Sequence, residues 1–270
     1  MTAPEPPSGV GLTSLGVARV RARESTRPDR LFDDPFAAAF VAAAPDAFPE
    51  ARRPNATQRS VGADFATHAV LRTRYYDEYL LGASAAGIRQ VVLLAAGLDT
   101  RAYRLPWPDG VQLSEVDLPE VLEFKEKVLA GQTPRCVRTT VPADLRHDWS
   151  IPGFDATAPT AWLAEGLLIY LTHETAQRLL THVTALSAPG SQIAVEYGTG
   201  DPSPLVTRAR NDSAMSRYTP LWRGGLHVDT ADWLREHGWH PTVHRLSDLA
   251  VRYGRPLRGE SASGLLNAIR

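Results

Sequence analysis

The sequence of 270 residues has one cysteine, Cys136, only two lysines, and no apolar run near the ~20 residues that a membrane-spanning helix needs. A single cysteine excludes an intrachain disulfide and a metal site built from several cysteines. The formal net charge of −1 provides no basic excess, so we expect binding neither to nucleic acid nor to a membrane. The opening residues, MTAPEPPSGV, lack the basic and apolar parts of a signal peptide, and we therefore expect a cytoplasmic protein.

The sequence also lacks the three-glycine motif of dinucleotide-binding folds. Residues 91–105 read VVLLAAGLDTRAYRL, and the unbroken apolar run 91–95 predicts a strand buried on both faces. A small-residue turn at Gly97 follows, and then Asp99, which can begin a helix. Such a corner lets a ligand approach the main chain and offers it unpaired N–H groups. With one glycine in place of three, the motif argues against a pyrophosphate clasp and an NAD-dependent dehydrogenase.

A second signal follows about 20 positions later, where folds of this class place an acidic residue that binds ribose hydroxyls. Residues 111–117 predict a second strand, and Asp117 ends it. We interpret Asp117 as a ribose-binding residue. The alternative is that Asp117 only caps the helix that begins at Leu118 and Pro119.

Strands alternate with helices through the rest of the chain, which is typical of an α/β domain, and 270 residues suffice for one large domain of this kind. In the N-terminal part, helices are predicted at 13–24, 36–43 and 60–81, after a start at 1–12 that is rich in Pro, Ser and Gly and with a proline-bearing connection at 45–55. The segment 205–217 could also be helical. Further strands are predicted at 135–140, at 159–171 with an interruption at Glu165 and Gly166, and at 191–197, 239–246 and 265–270.

Four segments, LLAAGLDTRAYRL, SEVDLPEVLEFK, PADLR and WLAEGLLIYL, resemble the leucine carboxyl methyltransferase family of S-adenosylmethionine-dependent methyltransferases. The resemblance covers about residues 14–197 and is greatest to the branch that methylates bacterial secondary metabolites. It implies a Rossmann-like class I methyltransferase fold, a mostly parallel seven-stranded sheet with helices on both faces. It also implies an N-terminal helical cap (1–85) before the cofactor-binding domain (86–270), with an acceptor-site insertion at about 198–228. Ala95 stands where many members have the first glycine of the turn, and we expect the turn to survive this change.

The resemblance implies S-adenosylmethionine as cofactor, no metal, and a set of cofactor-binding residues: Arg23, Arg72, Ala95, Gly97, Asp99, Asp117, Leu118, Asp144, Leu145 and Glu165. Arg23 or Arg72, with Arg74 in reserve, would engage the carboxylate of the methionine part. Asp144 and Leu145 would contact the adenine. Glu165 has independent support, because a carboxylate in so apolar a stretch is costly unless it faces a site or a partner.

In the family, a tyrosine at the position of Tyr170 approaches the methyl group or the acceptor; the alternative is that Tyr170 only covers the next helix. Arg19 and Arg21 are interpreted as a solvated helix face. Candidates for contacting the acceptor are Tyr197, Arg217, Tyr218, Trp222, Arg223 and His227. His237, His240 and His244 are interpreted as structural, because Gly238 and Pro241 interrupt any helical spacing of metal ligands.

The acceptor remains open at this stage. A carboxylate is already ionised near neutral pH and needs no general base, whereas a phenol would gain from a base such as His173 or His227. A small-molecule acid, plausibly an aromatic polyketide, is the leading hypothesis from the resemblance. A phenol, a peptide or protein C-terminal carboxylate, and a noncatalytic cofactor-binding module are the alternatives. A monomer or a homodimer is expected.

Overall fold

A computed structural model describes residues 5–47, 56–212, 215–257 and 264–270, with side chains described from residue 61 in the second range. Its strands are β1 Gln90–Leu94, β2 Gln112–Asp117, β3 Val137–Pro142, β4 Thr160–Ala164, β5 Gln192–Tyr197, β6 His240–Arg245 and β7 Gly264–Ile269. Its helices are α1 Gly11–Ser25, α2 Ala37–Ala43, α3 Ala56–Ala85, α4 Arg101–Arg104, α5 Pro119–Val128, α6 His173–Ala185, α7 Pro204–Arg210, α8 Thr230–Glu236 and α9 Leu246–Arg252. Short 3₁₀ turns cover Pro45–Ala47, Leu168–Tyr170 and Thr219–Leu221.

The seven strands form one sheet in the order β3-β2-β1-β4-β5-β7-β6. β7 is antiparallel to both of its neighbours, and the other paired strands are parallel. The strand order reverses between β1 and β4, because the chain first builds outward on one side of β1 and then on the other. Ligands of open α/β sheets bind at the carboxyl ends of the strands at such a reversal.

Alternate residues of the central strands point to opposite faces, and each face is covered by its own helices. Val91 and Leu93 of β1 pack with α1, α2, α3 and α5 in one core cluster. Val92 and Leu94 pack on the other face, with α6 and α8. Burial on both faces explains why β1 is an apolar run without alternation, as predicted.

Two sequence predictions are wrong in their extent. β4 ends at Ala164, because the chain turns at Gly166 with a φ of +65°, and the rest of the predicted strand forms a 3₁₀ turn. The helix predicted over 205–217 is observed only over Pro204–Arg210, with Asn211 as its C-cap. The helix expected to begin at Asp99 and Thr100 is present, with Thr100 as its N-cap, but it has only four residues, Arg101–Arg104, so its dipole adds little to the site.

Candidate active site

The predicted turn after β1 lies at the carboxyl edge of the sheet and is held by Asp117, the last residue of β2. One carboxylate oxygen of Asp117 accepts the main-chain N–H of Gly97, and the other accepts the N–H of Leu118 at 2.7 Å. Burial raises the pKa of Asp117, and these two hydrogen bonds oppose that rise. Asp117 therefore supports the turn and also presents an acidic side chain at the sheet edge.

Ala95 and Gly97 both have left-handed backbone conformations, with φ of +52° and +51°. Ala95 is the one non-glycine residue with positive φ in the part of the chain that the structure describes. The turn survives the replacement of glycine by alanine, as expected. A Cβ atom at Gly97 would lie 3.2 Å from the Cβ of Ser14, so glycine also lets α1 pack closely over the turn.

Arg21 fastens α1 to the same turn. Its guanidinium donates to the carbonyl oxygen of Leu98 and forms an ion pair with Asp34, with Nε 2.9 Å from Oδ2. Only 6% of Arg21 is exposed, so its interpretation as part of a solvated face is wrong. The alternating arginines diverge because Arg21 faces the sheet edge whereas Arg23 is exposed at the rim of the cavity described below.

Arg101, which the sequence analysis did not select, is the centre of a buried ionic network. Its guanidinium contacts Asp77 at 2.7 Å, Glu165 at 2.7 Å and Asp99. Asp77 also pairs with Arg104, Nη1 to Oδ2 at 2.6 Å. The sequence offered little signal for Arg101, because two of its three partners, Asp77 and Glu165, lie far away in the chain.

Arg72 extends this network along α3. Its Nε lies 3.0 Å from Glu165, and its Nη1 lies 2.9 Å from Glu196 at the end of β5. Glu196 also accepts the N–H of Gly166 at 2.6 Å, which fixes the turn after β4. The predicted residues Arg72 and Glu165 are thus brought together, whereas Arg74 pairs with Glu78 at 2.9 Å.

The carboxylates of the network differ in the direction in which their pKa is shifted. Burial disfavours ionisation of Asp99 and Glu165, but the arginines outweigh burial and lower the pKa of both, that of Asp99 to about 2. Burial prevails at Glu196 and raises its pKa despite Arg72. The edge of the sheet therefore holds fixed negative charge next to fixed guanidinium groups, an arrangement that suits a ligand with both an ammonium and a carboxylate.

A cavity of about 970 Å³ opens onto this network. Most of the predicted cofactor-binding residues line it: Arg23, Arg72, Ala95, Gly97, Asp99, Asp117, Leu118 and Glu165. Tyr170 lines it as well. So do all the acceptor candidates, namely Tyr197, Arg217, Tyr218, Trp222, Arg223 and His227.

Asp144 and Leu145 lie elsewhere among the described residues. Neither lines the cavity. Leu145 is buried in the core cluster of α6 and α8, and Asp144 binds Arg146, which lowers the pKa of the carboxyl. In this arrangement the shortest Asp144–Arg146 contact is 2.6 Å. Their predicted contact with adenine stays a prediction, and Arg146 is a competitor for the same carboxylate.

The far end of the cavity is apolar and aromatic. Phe65 of α3 packs against Trp222 with ring centroids 5.9 Å apart, and Val61, Ala209 and Tyr170 belong to the same cluster. This cluster is separate from the two core clusters of the sheet. It joins the start of α3 to the segment 198–228, so the predicted insertion contributes walls to this end of the cavity.

Polar groups surround the aromatic end. The guanidinium of Arg217 donates to the carbonyl oxygen of Ala47 at 2.9 Å, and Tyr197 donates to Asp229 at 2.6 Å. That hydrogen bond raises the pKa of Tyr197 to about 12, so Tyr197 stays protonated near neutral pH and is not available as a general base. The imidazole of His227 stacks on that of His173, with centroids 5.5 Å apart.

No helix among the described residues is long and apolar enough to cross a membrane. No group of three or more His, Cys, Asp or Glu side chains in the same ranges is arranged to hold a metal ion. The ring of His237 lies against Trp233, and the ring of His244 contacts Asn267.

Comparison with known sequences agrees with this geometry. The family model described as leucine carboxyl methyltransferase matches residues 14–184. A provisionally named S-adenosyl-L-methionine-dependent methyltransferase of Parafrankia sp. (strain EAN1pec) is 50% identical over 261 residues, covering 94% of this chain and 84% of that protein. A provisionally named methyltransferase of the same description from Streptomyces coelicolor is 41% identical over 278 residues, covering 98% and 96%.

Comparison with solved structures gives the same fold at low sequence identity. A DUF574 family protein from Streptomyces avermitilis superposes with a TM-score of 0.55 at 16% identity, covering 94% of this chain and 96% of that chain. A provisionally named methyltransferase from Thermobifida fusca gives 0.54 at 18% identity and covers 94% of both chains. The predicted Rossmann-like architecture is confirmed.

Proposed function

Because the chain belongs to the leucine carboxyl methyltransferase family and is an S-adenosylmethionine-dependent methyltransferase, we propose that it forms a methyl ester on the carboxylate of a small, largely apolar acid. An aromatic polyketide acid is the acceptor we expect. The proposal rests on the cavity, which runs from the ionic network at the sheet edge to the aromatic cluster around Trp222.

The residues at the sheet edge fit the cofactor. Asp117 offers a buried carboxylate suited to ribose hydroxyls, and the turn at Ala95 and Gly97 offers main chain that a ligand can approach. Arg72 and Glu165 would hold the methionine part, with Arg23 at the cavity rim as a second partner for its carboxylate. When bound, the cofactor supplies a methyl group on a sulfonium centre, activated for displacement by an oxygen.

The chain's own task is to orient the acceptor and exclude water. Tyr170 and Trp222 lie where an aromatic acceptor would pack, and arginines such as Arg223 at the cavity wall suit its negative charge. A carboxylate acceptor loses no proton, which agrees with the poor base character of Tyr197. A phenol would depend on His227, which makes the two acceptors distinguishable.

The first experiment is calorimetric titration with S-adenosylmethionine, S-adenosylhomocysteine and NAD. We expect the two adenosyl ligands to bind and NAD not to bind. Asp117→Ala should weaken binding by at least about 10-fold, because a hydrogen bond to a charged group contributes about 1.5–3 kcal/mol. Absence of adenosyl-ligand binding by folded wild-type protein would contradict the cofactor assignment and favour a noncatalytic module.

The second experiment offers the labelled methyl donor to a panel of aromatic acids, matched phenols and peptides with a free C-terminus. The proposal predicts a base-labile methyl ester on an aromatic acid. Methyl ether formation that is lost in His227→Ala would favour the phenol alternative. Methylation of the peptides alone would favour a macromolecular acceptor.

A further inference from the structure

His68 has a position on α3 that the mechanism so far leaves unused. The residues of α3 that line the cavity are Gly62, Phe65, Ala66, His68, Ala69 and Arg72, which is the spacing of one helix face. At ~1.5 Å of rise per residue, His68 lies about 4.5 Å along the axis from Phe65 and about 6 Å from Arg72. It is therefore the polar side chain between the aromatic end and the ionic network.

His68 is partly buried, and its imidazole has no hydrogen-bond partner among the described residues. Burial and the nearby Arg72 guanidinium lower the pKa of His68 to about 3, and the carboxylate of Glu165 only partly opposes them. The ring is thus neutral at physiological pH and presents one N–H donor and one lone pair. Because His68 lines the cavity and has no protein partner among the described residues, its ring is available to a ligand that enters there.

We propose that His68 binds the acceptor, by donating its ring N–H to a carboxylate oxygen of the acid and thereby orienting the other oxygen toward the cofactor end of the cavity. The proposal rests on the function proposed above. The ring suits an anionic oxygen because it offers an N–H donor, whereas the charge of Arg72, one turn away on the same helix face, is already balanced by Glu165 and Glu196. A neutral imidazole can donate its N–H to the acid while the carboxylates of the network stay paired with their arginines.

The test uses His68→Ala, His68→Gln and the control Thr67→Ala, with the acid that wild type methylates in the panel. Thr67 is the adjacent residue on α3 and lies outside the cavity lining; its hydroxyl bonds the carbonyl oxygen of Ala63 at 3.0 Å. Glutamine keeps an N–H donor on a side chain of similar reach. Affinity for S-adenosylhomocysteine, KM for the acid, kcat and melting temperature are measured for each variant.

His68→Ala should lower kcat/KM about 10- to 100-fold, mainly through KM for the acid, because it removes a hydrogen bond to a charged group. Its affinity for S-adenosylhomocysteine should stay within about twofold of wild type, since the contact is with the acceptor. His68→Gln should recover part of the loss, and Thr67→Ala should behave as wild type. If His68→Ala does not fold, a His68→Gln protein with wild-type melting temperature takes its place, compared with His68→Leu.

Unchanged kcat/KM in a folded His68 variant would overturn the inference. So would an equal loss of affinity for S-adenosylhomocysteine, because His68 would then act on the cofactor. Wild type that methylates no acid at all is a different result, which counts against the proposed function before any variant is made. The two failures are therefore separable.

Discussion

Ala95 carries a local conformational cost at the turn that the ligand approaches. An L-residue in the left-handed region costs about 1–2 kcal/mol, and glycine avoids that cost but loses more entropy on folding. We therefore expect Ala95→Gly to raise the free energy of unfolding by up to about 1 kcal/mol, measured by urea denaturation. Ala96→Gly is the matched control, since Ala96 lacks a positive φ, and it should lower stability. A loss of stability in Ala95→Gly would contradict the strain at this position.

Arg101 pairs with three carboxylates, and its removal would leave Asp99 buried without its cation and would take one of two arginine partners from Asp77 and from Glu165. Arg101→Met should lower the free energy of unfolding by about 3–5 kcal/mol, the usual cost of breaking a buried ion pair by removing one partner. The exposed pair of Arg235 and Asp232 gives the control, because Arg235→Met should change stability by less than about 1 kcal/mol. Similar effects of the two variants in chemical denaturation would show that the buried network adds little.

Arg146 pairs with Asp144 and so competes with adenine for its carboxylate. Asp144→Ala should then weaken binding of S-adenosylhomocysteine by about 10-fold, the effect of one lost hydrogen bond to a charged group. Arg146→Ala should bind equally or more tightly, because it removes the competing partner. Calorimetric titration of both variants with S-adenosylhomocysteine measures these two affinities. Unchanged affinity in Asp144→Ala would assign the carboxylate to Arg146 alone.

The elements that could be predicted from sequence are those whose signal is local. β1 and β5 are apolar segments in the centre of the sheet, and their burial on both faces is visible in composition alone. The second half of the predicted fourth strand was equally apolar but follows Gly166, whose turn was read as an interruption and not as an end. Apolar composition does not distinguish a buried strand from a turn that packs over a site.

The site was predictable only in part, because only some of its residues have a local sequence signal. Asp117 and Gly97 were found through their spacing from a predicted strand. The role of Arg101 depends on Asp77 and Glu165, which are 24 and 64 positions away and reach it only through α3 and β4. His68 was missed because a histidine in a long helix is ordinary until the helix face that lines the cavity is known.

Helix α1 covers one side of the cavity, where Ser14 contacts the turn and Arg21 fastens the helix to Leu98. We predict that the N-terminal helices close over the cofactor as a lid. Limited proteolysis should then be slower before Leu81 in the presence of S-adenosylhomocysteine, and NAD should give no protection. Unchanged cleavage with saturating ligand would contradict the lid, since a covering helix that binds the ligand must be stabilised by it.

The concentration of charge at one edge of the sheet links the stability of the whole molecule to pH. Asp99 has a pKa of about 2 in the folded protein, below the ordinary value of 3.8, so the folded state binds its proton less readily than the unfolded chain. Its contribution is present above about pH 4 and is lost as pH falls toward 2. The shift corresponds to about 2 kcal/mol. Glu196 has the opposite sign, because its raised pKa favours the folded state at low pH and weakens it as pH rises.

We therefore expect the stability advantage of wild type over Asp99→Asn to shrink by about 2 kcal/mol between pH 5 and pH 2, measured by urea denaturation at each pH. Glu196→Gln is the control, because it removes a different carboxylate of the same network. This variant should still lose stability between pH 5 and pH 2, as wild type does. If the advantage over Asp99→Asn stayed constant with pH, Arg101 could not be holding Asp99 ionised in the folded protein. The acid sensitivity of the fold would then have to come from other carboxylates, such as Glu165, whose pKa the arginines also lower.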